Sequence, residues 1–257
     1  MKIFKSLSEW QATRNQLDSA LSIGFVPTMG NLHAGHASLF ERSVAENDLT
    51  VSSLFINPKQ FNQVEDFIHY PKTLDEDIHL LSELGVNYCI VPEEQSMYQD
   101  GYRYQVNENA ESLSLEGAHR PGHFTGVLTI VMKLLNLAKP SRAYFGEKDY
   151  QQFKLIHGMA KAFFMDVEVI CCKTIREPSG LAYSSRNNRL TTDEKITAAS
   201  FASALRQPLA IPDLKKQIEA LGIDVEYIED HDNRRYAAVK IGAVRLIDNV
   251  ELCKDIK

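Results

Sequence analysis

Positive charge is in short supply in this sequence. Lys and Arg total 28 against 34 Asp and Glu, a formal net charge of -6. That balance argues against nucleic acid as a main partner, a local basic cleft aside. Cysteine is sparse too. The four are Cys89, Cys171, Cys172 and Cys253, at no spacing that makes a metal knuckle or a redox pair. Three lie in or beside apolar strand-like runs and read as buried thiols of a reducing compartment. No apolar stretch reaches the roughly 20 residues that span a bilayer, and the N-terminus lacks the apolar region of a secretory leader. The expectation is a cytoplasmic protein with no membrane partner. Also missing are the Walker loop, the dinucleotide fingerprint, internal repeats and low-complexity segments.

What is present is an ordinary globular composition, 44% hydrophobic over 257 residues. Such a chain can bury a substantial core without staples, as one large domain or two unequal ones. Apolar strand-like runs at 2–5, 23–26, 49–55, 86–91, 143–145 and 167–172 alternate with helix-like patterns. A capping box at 6–9 starts a helix to about 19, and others are expected at 34–45, 73–84, 127–137 and from about 150 to 164. Residues 102–106 show some strand alternation. Repeated strand–helix order predicts an α/β fold with a doubly wound parallel sheet. The character changes near 177. Helices at 192–205 and 212–221 with strands at 225–228, 237–241 and 244–247 suggest a smaller α+β C-terminal domain. The division is placed at 1–176 and 177–257.

The chain is organised around Pro27-Thr28-Met29-Gly30-Asn31-Leu32-His33-Ala34-Gly35-His36. An apolar run enters this stretch and a helical pattern leaves it. Helix starts carry free N–H groups and partial positive charge, and so suit phosphate. His33 and His36 can share one side of the entry turn and donate hydrogen bonds to phosphate oxygens. Two surface histidines capping a helix are the plain alternative, and two imidazoles fall short of a zinc site.

Further along, Asn57, Gln60 and Asn62 stand just past a strand and could bind a polyol or carboxylate, or form only a polar loop. Asp75, Glu76 and Asp77 open a helix, where acidic residues stabilise the dipole; Glu76 or Asp77 could instead help hold magnesium beside nucleotide phosphates. In 115–125, Arg120 is the best candidate for pairing with an anion, with Glu116 as an alternative partner. Gly146-Glu147-Lys148-Asp149 repeats the strand–glycine–helix logic: Lys148 suits phosphate, while Asp149 and Gln152 share a face. Ser184, Ser185 and Arg186 could clasp a phosphate from a loop, or lie in a plain linker.

Taken jointly, PTMGNLHAGH (27–36), FINPKQF (55–61), YPKTLDED (70–77), EGAHRPGHFTGV (116–127), FGEKDYQQ (145–152), SGLAYSSRN (179–187) and RLIDN (245–249) resemble the pantoate–β-alanine ligase (pantothenate synthetase) family over nearly the whole chain. This family lies in the His-x-x-His nucleotidylyltransferase-like superfamily. The resemblance implies a Rossmann-like ATP- and pantoate-binding domain, a small C-terminal lid domain, a homodimer and a cytoplasmic, magnesium-dependent enzyme. The reaction would join pantoate and β-alanine through pantoyl adenylate and release AMP and diphosphate.

By the same resemblance, His33 and His36 would meet ATP phosphates. Lys148, Ser184, Ser185 and Arg186 would grip them, and Met29 would lie between nucleotide and pantoate. Gly146, Asp149 and Ile175 would line the ATP site. Gln60 and Gln152 would hold pantoate, Arg120 and His123 would sit near the diphosphate or closing loop, and Glu76 or Asp77 would match the position linked to Mg2+. Relative to longer members the segment 205–220 is compressed, and Tyr183 replaces a smaller residue. A nucleotidylyltransferase acting on a phosphorylated substrate, or a nucleotide-binding regulator, would share the histidine motif but not the full set.

Overall fold

Apolar runs flanked by polar turns become strands buried between helices. The computed structural model describes residues 1–252, so Cys253 lies outside the described residues. In chain order the first elements are β1 (Lys2–Phe4), α1 (Leu7–Gln16), β2 (Ile23–Thr28), α2 (Ala34–Glu46) and β3 (Leu49–Leu54). Then come α3 (Val64–Ile68), α4 (Leu74–Glu83), β4 (Tyr88–Ile90), α5 (Glu94–Met97), α6 (Glu116–His119), α7 (His123–Ala138), β5 (Arg142–Gly146), α8 (Tyr150–Ala162) and β6 (Glu168–Cys172). In β3 every residue after Leu49 is buried, as a central parallel strand covered on both faces requires.

These strands make one parallel sheet in the order β1-β4-β3-β2-β5-β6. The chain winds outward one way from β2 through β3 and β4, then the other way through β5 and β6. β2 pairs with β3 along its whole length. With β5 it pairs only through Gly24–Arg142 and Phe25–Ala143, short of either carboxyl end. A crevice outside the carboxyl ends at such a reversal is the usual ligand position of an open α/β sheet.

The chain divides into two compact units. The first is Met1–Leu32, His36–Glu147 and Gln151–Cys172; the second is His33–Gly35, Lys148–Tyr150 and the chain from Lys173 onward. In the first, α7 is apolar around most of its circumference, and its Phe124, Leu128 and Leu135 pack with Phe25, Val51 and Phe145. A Cβ on Gly126 would run into the backbone of Lys59 and Gln60, so glycine there lets the loop after β3 lie against the helix.

The second unit contains α9 (Thr192–Leu205), α10 (Ile211–Glu219) and the strands β7 (Asp224–His231), β8 (Arg234–Ile241) and β9 (Val244–Glu251). The strands form an antiparallel meander. Asp232 and Asn233 both have positive φ in the β7–β8 turn, the backbone that a tight hairpin demands and that these residue types tolerate. A capping box between Thr191 and Glu194 starts α9. Phe201, Leu205, Leu214, Ile218 and Val239 form this unit's core.

The α/β sheet and the smaller α+β unit agree with the sequence-based fold class. Residues 102–106 do not form the expected strand. Tyr102 has φ 63, Asp100 accepts the Tyr104 N–H at 3.0 Å, and the Val106 N–H goes to the Thr129 hydroxyl at 2.9 Å. Side chains satisfy the backbone groups that a neighbouring strand would otherwise take. Helices α3 and α5, absent from the sequence reading, are single turns of five and four residues. Cys89 and Cys172 are buried as expected, and burial pushes the Cys89 thiol up to about 12. Cys171 is half-buried.

Phe201 is 0% exposed, whereas Ile196 on the same helix is 64% exposed. Phe201→Ala should therefore cost about 3–5 kcal/mol of unfolding free energy in urea titration, and Ile196→Ala no more than about 0.5 kcal/mol.

Candidate active site

In the first unit the chain leaves β2 through Met29 into a turn with Gly30 at φ 84 and Asn31 at φ 51. The Asp77 carboxylate, from the first turn of α4, accepts the N–H of Asn31 at 2.9 Å and of Leu32 at 2.8 Å. The Thr73 hydroxyl donates to the same group at 3.1 Å. Glu76, one residue earlier, is exposed. The two acidic residues thus meet different surroundings although they are adjacent in sequence.

The loop after β3 is built on Asn57, which is 1% exposed. Its carboxamide oxygen accepts the Tyr98 hydroxyl at 2.6 Å, and its nitrogen donates to the Gly126 carbonyl and to Gln60 Oε1, each at 3.2 Å. This anchors Gln60, whose Nε2 lies 2.9 Å from the Met29 sulfur. His123, at the start of α7, places Nδ1 2.8 Å from the Gln60 carbonyl, and Arg120 donates to that carbonyl at 3.3 Å. Arg120 Nη1 stands 3.3 Å from His123 Nε2. A ring protonated on Nδ1 alone satisfies both contacts, giving to the carbonyl and receiving from Arg120. Arg120 also approaches Glu116 at 3.7 Å, so the two sequence-level readings of Arg120 are not exclusive.

Gln60, Phe61, Asn62, Tyr102, Gln105 and His123 are among the residues lining an open cavity of about 310 Å³ with mixed polar and apolar walls. On α8, Gln151 is buried and spent on structure: its nitrogen donates to the carbonyls of Glu111 and Ser114, and its oxygen accepts the Glu116 N–H. Gln152 is half-buried. A Cβ on Gly146 would meet open space.

In the second unit His33 stacks on Tyr183 with ring centroids 6.1 Å apart and planes 23° apart. Gly35 fits beside both; a Cβ there would stand 3.0 Å from the His33 ring and 3.4 Å from Tyr183 Cβ. Burial, and then the Lys148 ammonium, lower the His33 pKa to about 4, with Asp149 pulling weakly the other way. The imidazole is therefore neutral at physiological pH, while Lys148 supplies the charge. Lys148 sits 3.8 Å from Asp149.

The Lys148 backbone is fixed from behind. Its carbonyl accepts from Asn249 Nδ2 at 2.8 Å, and Asn249 Oδ1 is held by Arg234. Asp248 Oδ1 accepts the Asn249 N–H at 2.8 Å, and Arg176 grips Asp248 with two bonds of 2.7 and 2.9 Å. On the neighbouring loop, the Ser184 hydroxyl accepts the Arg186 N–H at 3.3 Å and caps the 3-10 turn Ser185–Arg189. Asn187 ties that turn to Glu177 and to the Ala182 carbonyl at 2.9 and 3.0 Å. Ile175 is 38% exposed, and its carbonyl accepts the Tyr183 N–H at 3.1 Å.

The model of the family described as pantoate-beta-alanine ligase matches residues 2–251. The chain belongs to that family. It is 60% identical over 249 residues, 97% of this chain and 99% of the relative, to a pantothenate synthetase of Legionella pneumophila (strain Lens). It is 51% identical, over 100% of this chain and 99% of the relative, to one of Coxiella burnetii (strain Dugway 5J108-111). Among solved structures, the pantoate-beta-alanine ligase of Francisella tularensis, complexed with beta-gamma ATP and beta-alanine, has a TM-score of 0.94 at 42% identity, covering 98% of this chain and 97% of that one. The pantothenate synthetase of Thermus thermophilus has a TM-score of 0.89 at 35% identity, covering 98% of this chain and 99% of that one.

The ligase sequence pattern marks Lys148 but not what holds it. Arg176, Asp248 and Asn249 escaped the residue-level reading, although RLIDN was one of the matching segments. An adjacent Asp and Asn set between the apolar Ile247 and Val250 of one strand were the available signal. Removing the Asn249 amide should loosen the Lys148 backbone while leaving the hairpins paired.

The depressed pKa of His33 has a measurable sign. Between about pH 6.5 and 4 the unfolded chain takes up a proton at this position that the folded chain refuses. His33 therefore makes stability fall as pH drops through that window. His33→Gln should flatten this part of the stability–pH curve. Nuclear magnetic resonance titration of the ring should find a midpoint near 4 in the unmodified protein, rising on Lys148→Met.

Proposed function

We propose that the chain condenses pantoate with β-alanine, consuming ATP and releasing AMP and diphosphate through pantoyl adenylate. A neutral imidazole next to a half-buried lysine ammonium carries the reading: one group donates a hydrogen bond and the other neutralises charge, as a polyphosphate requires. An oxygen of the pantoate carboxylate attacks the α-phosphorus, a P–O bond breaks, and diphosphate leaves with its electron pair. The neutral amine of β-alanine then attacks the acyl carbon. The acyl C–O bond breaks, AMP departs, and the amine proton is lost to solvent. No covalent bond to the protein is formed.

The protein's part is alignment and charge screening. His33, His36, Lys148, Ser184, Ser185 and Arg186 are assigned to the phosphates. Met29, Gly146, Asp149 and Ile175 are assigned to the rest of the nucleotide. Gln60 and Gln152 hold pantoate, with Arg120 and His123 beside the departing diphosphate. The Gln60 side chain suits a hydroxyl or carboxylate because Asn57 fixes it from behind.

Magnesium, when bound, would neutralise nucleotide phosphate charge. The residues do not supply a cage for it: among the described residues no group of three or more His, Cys, Asp or Glu could hold a metal. Asp77 is 4% exposed and already accepts three hydrogen bonds. Glu76 is left as the acidic candidate, and nucleotide oxygens and water would have to complete the shell. Among the described residues no helix is long and apolar enough to cross a membrane. A cytoplasmic homodimer completes the proposal, in keeping with the family.

Purified protein given ATP, Mg2+ and pantoate should form pantoyl adenylate and diphosphate, and adding β-alanine should release pantothenate and AMP. ATP hydrolysis independent of both acids would contradict the assignment. A charged hydrogen bond is worth roughly 1.5–3 kcal/mol, so His36→Ala or Lys148→Ala should slow single-turnover adenylate formation about 10–100-fold. Unchanged rates would remove those residues from the step.

A further inference from the structure

We propose that Asp77 is a positioning residue that holds the turn carrying the His-x-x-His motif, and that it is not a ligand of magnesium. The proposal concerns the site assigned above and rests on that reading for its kinetic arm only. Three observations converge. Two successive peptide N–H groups, those of Asn31 and Leu32, point at the two oxygens of one carboxylate across more than 40 residues of sequence, at 2.9 and 2.8 Å. The turn they belong to is held in an unusual backbone, with Gly30 at φ 84 and the non-glycine Asn31 at φ 51. Finally, a Cβ on Gly30 would stand 2.8 Å from Asp77 Oδ2, so the carboxylate lies directly against the turn.

Two consecutive N–H groups aimed the same way form a small anion-binding concavity. Here the protein fills it with its own carboxylate. The Thr73 hydroxyl, from the residue preceding α4, donates to Oδ2 and fixes the Asp77 rotamer. With 4% exposure and three hydrogen bonds already accepted, the carboxylate presents no open face to a hydrated cation. Met29 immediately precedes the held turn and His33 immediately follows Leu32. Asp77 therefore sets the backbone that leads from Met29 toward the motif.

The inference separates two roles that one acidic residue could play. Asparagine at this position keeps the size but turns an NH2 toward one of the two peptide N–H groups, donor against donor. Asp77→Asn should accelerate hydrogen exchange at the Asn31 and Leu32 amides at least about 10-fold and slow single-turnover adenylate formation about 10–100-fold. The Mg2+ concentration for half-maximal rate should stay unchanged. Gly30→Ala, which crowds the same carboxylate, should produce the same pair of effects. The two losses should be less than additive in the double variant.

Exchange protection of these amides in the unmodified protein needs neither a variant nor activity. Rapid exchange there would overturn the proposal even if both variants failed to fold. A raised Mg2+ requirement for Asp77→Asn, relieved by excess Mg2+, would make Asp77 a ligand and would also overturn it. Loss of ligase activity in the unmodified protein would instead strike at the function and leave the exchange result standing.

Discussion

Like charges set the problem this protein has to solve. A carboxylate must approach the α-phosphorus of a polyanion, and the protein itself carries a net charge of -6. Bulk charge gives no help, so each cation has to be placed individually. Lys148 is held through its own carbonyl by Asn249, and Arg120 is oriented by the Gln60 carbonyl and His123. Beside Lys148, His33 stays neutral because it is buried and already faces a positive neighbour. A neutral ring and one formal charge therefore stand together without repelling each other, as the proposed phosphate site requires.

The placement is achieved with buried polar side chains that hydrogen-bond to distant backbone. Asn57, Asp77, Gln151 and Asn249 each bond backbone groups far away in sequence. A hydrogen bond of this kind adds only about 1 kcal/mol net, but leaving a buried group unsatisfied costs more, which makes the geometry specific. Each of these four stands near a residue assigned to ligand and fixes the backbone or loop that presents it.

Much of this was legible from periodicity. The strand after residue 22, the helix that ends before Gly85 and the helix over 192–205 follow from apolar spacing and local punctuation. All three form, as β2, α4 and α9. The candidate site was legible as a set of residue types at strand-to-helix turns. The supports were not. Nothing local at Asp77 distinguishes a helix-dipole carboxylate from one that receives two peptide N–H groups 45 and 46 residues away. For the same reason alternation at 102–106 suggested a strand, when the Thr129 hydroxyl and the Asp100 carboxylate had taken the backbone donors. Local sequence records propensity, and long-range side-chain bonds decide its outcome.

Transfer of the acid oxygen to phosphorus is the step to which these groups are assigned in the proposed reaction, and an isotope follows it directly. Pantoate labelled with 18O in its carboxylate, turned over with unlabelled ATP and β-alanine, should deliver one labelled oxygen to the AMP formed. Label in diphosphate, or AMP free of label, would show that the carboxylate never bonded to the α-phosphorus and would contradict the account.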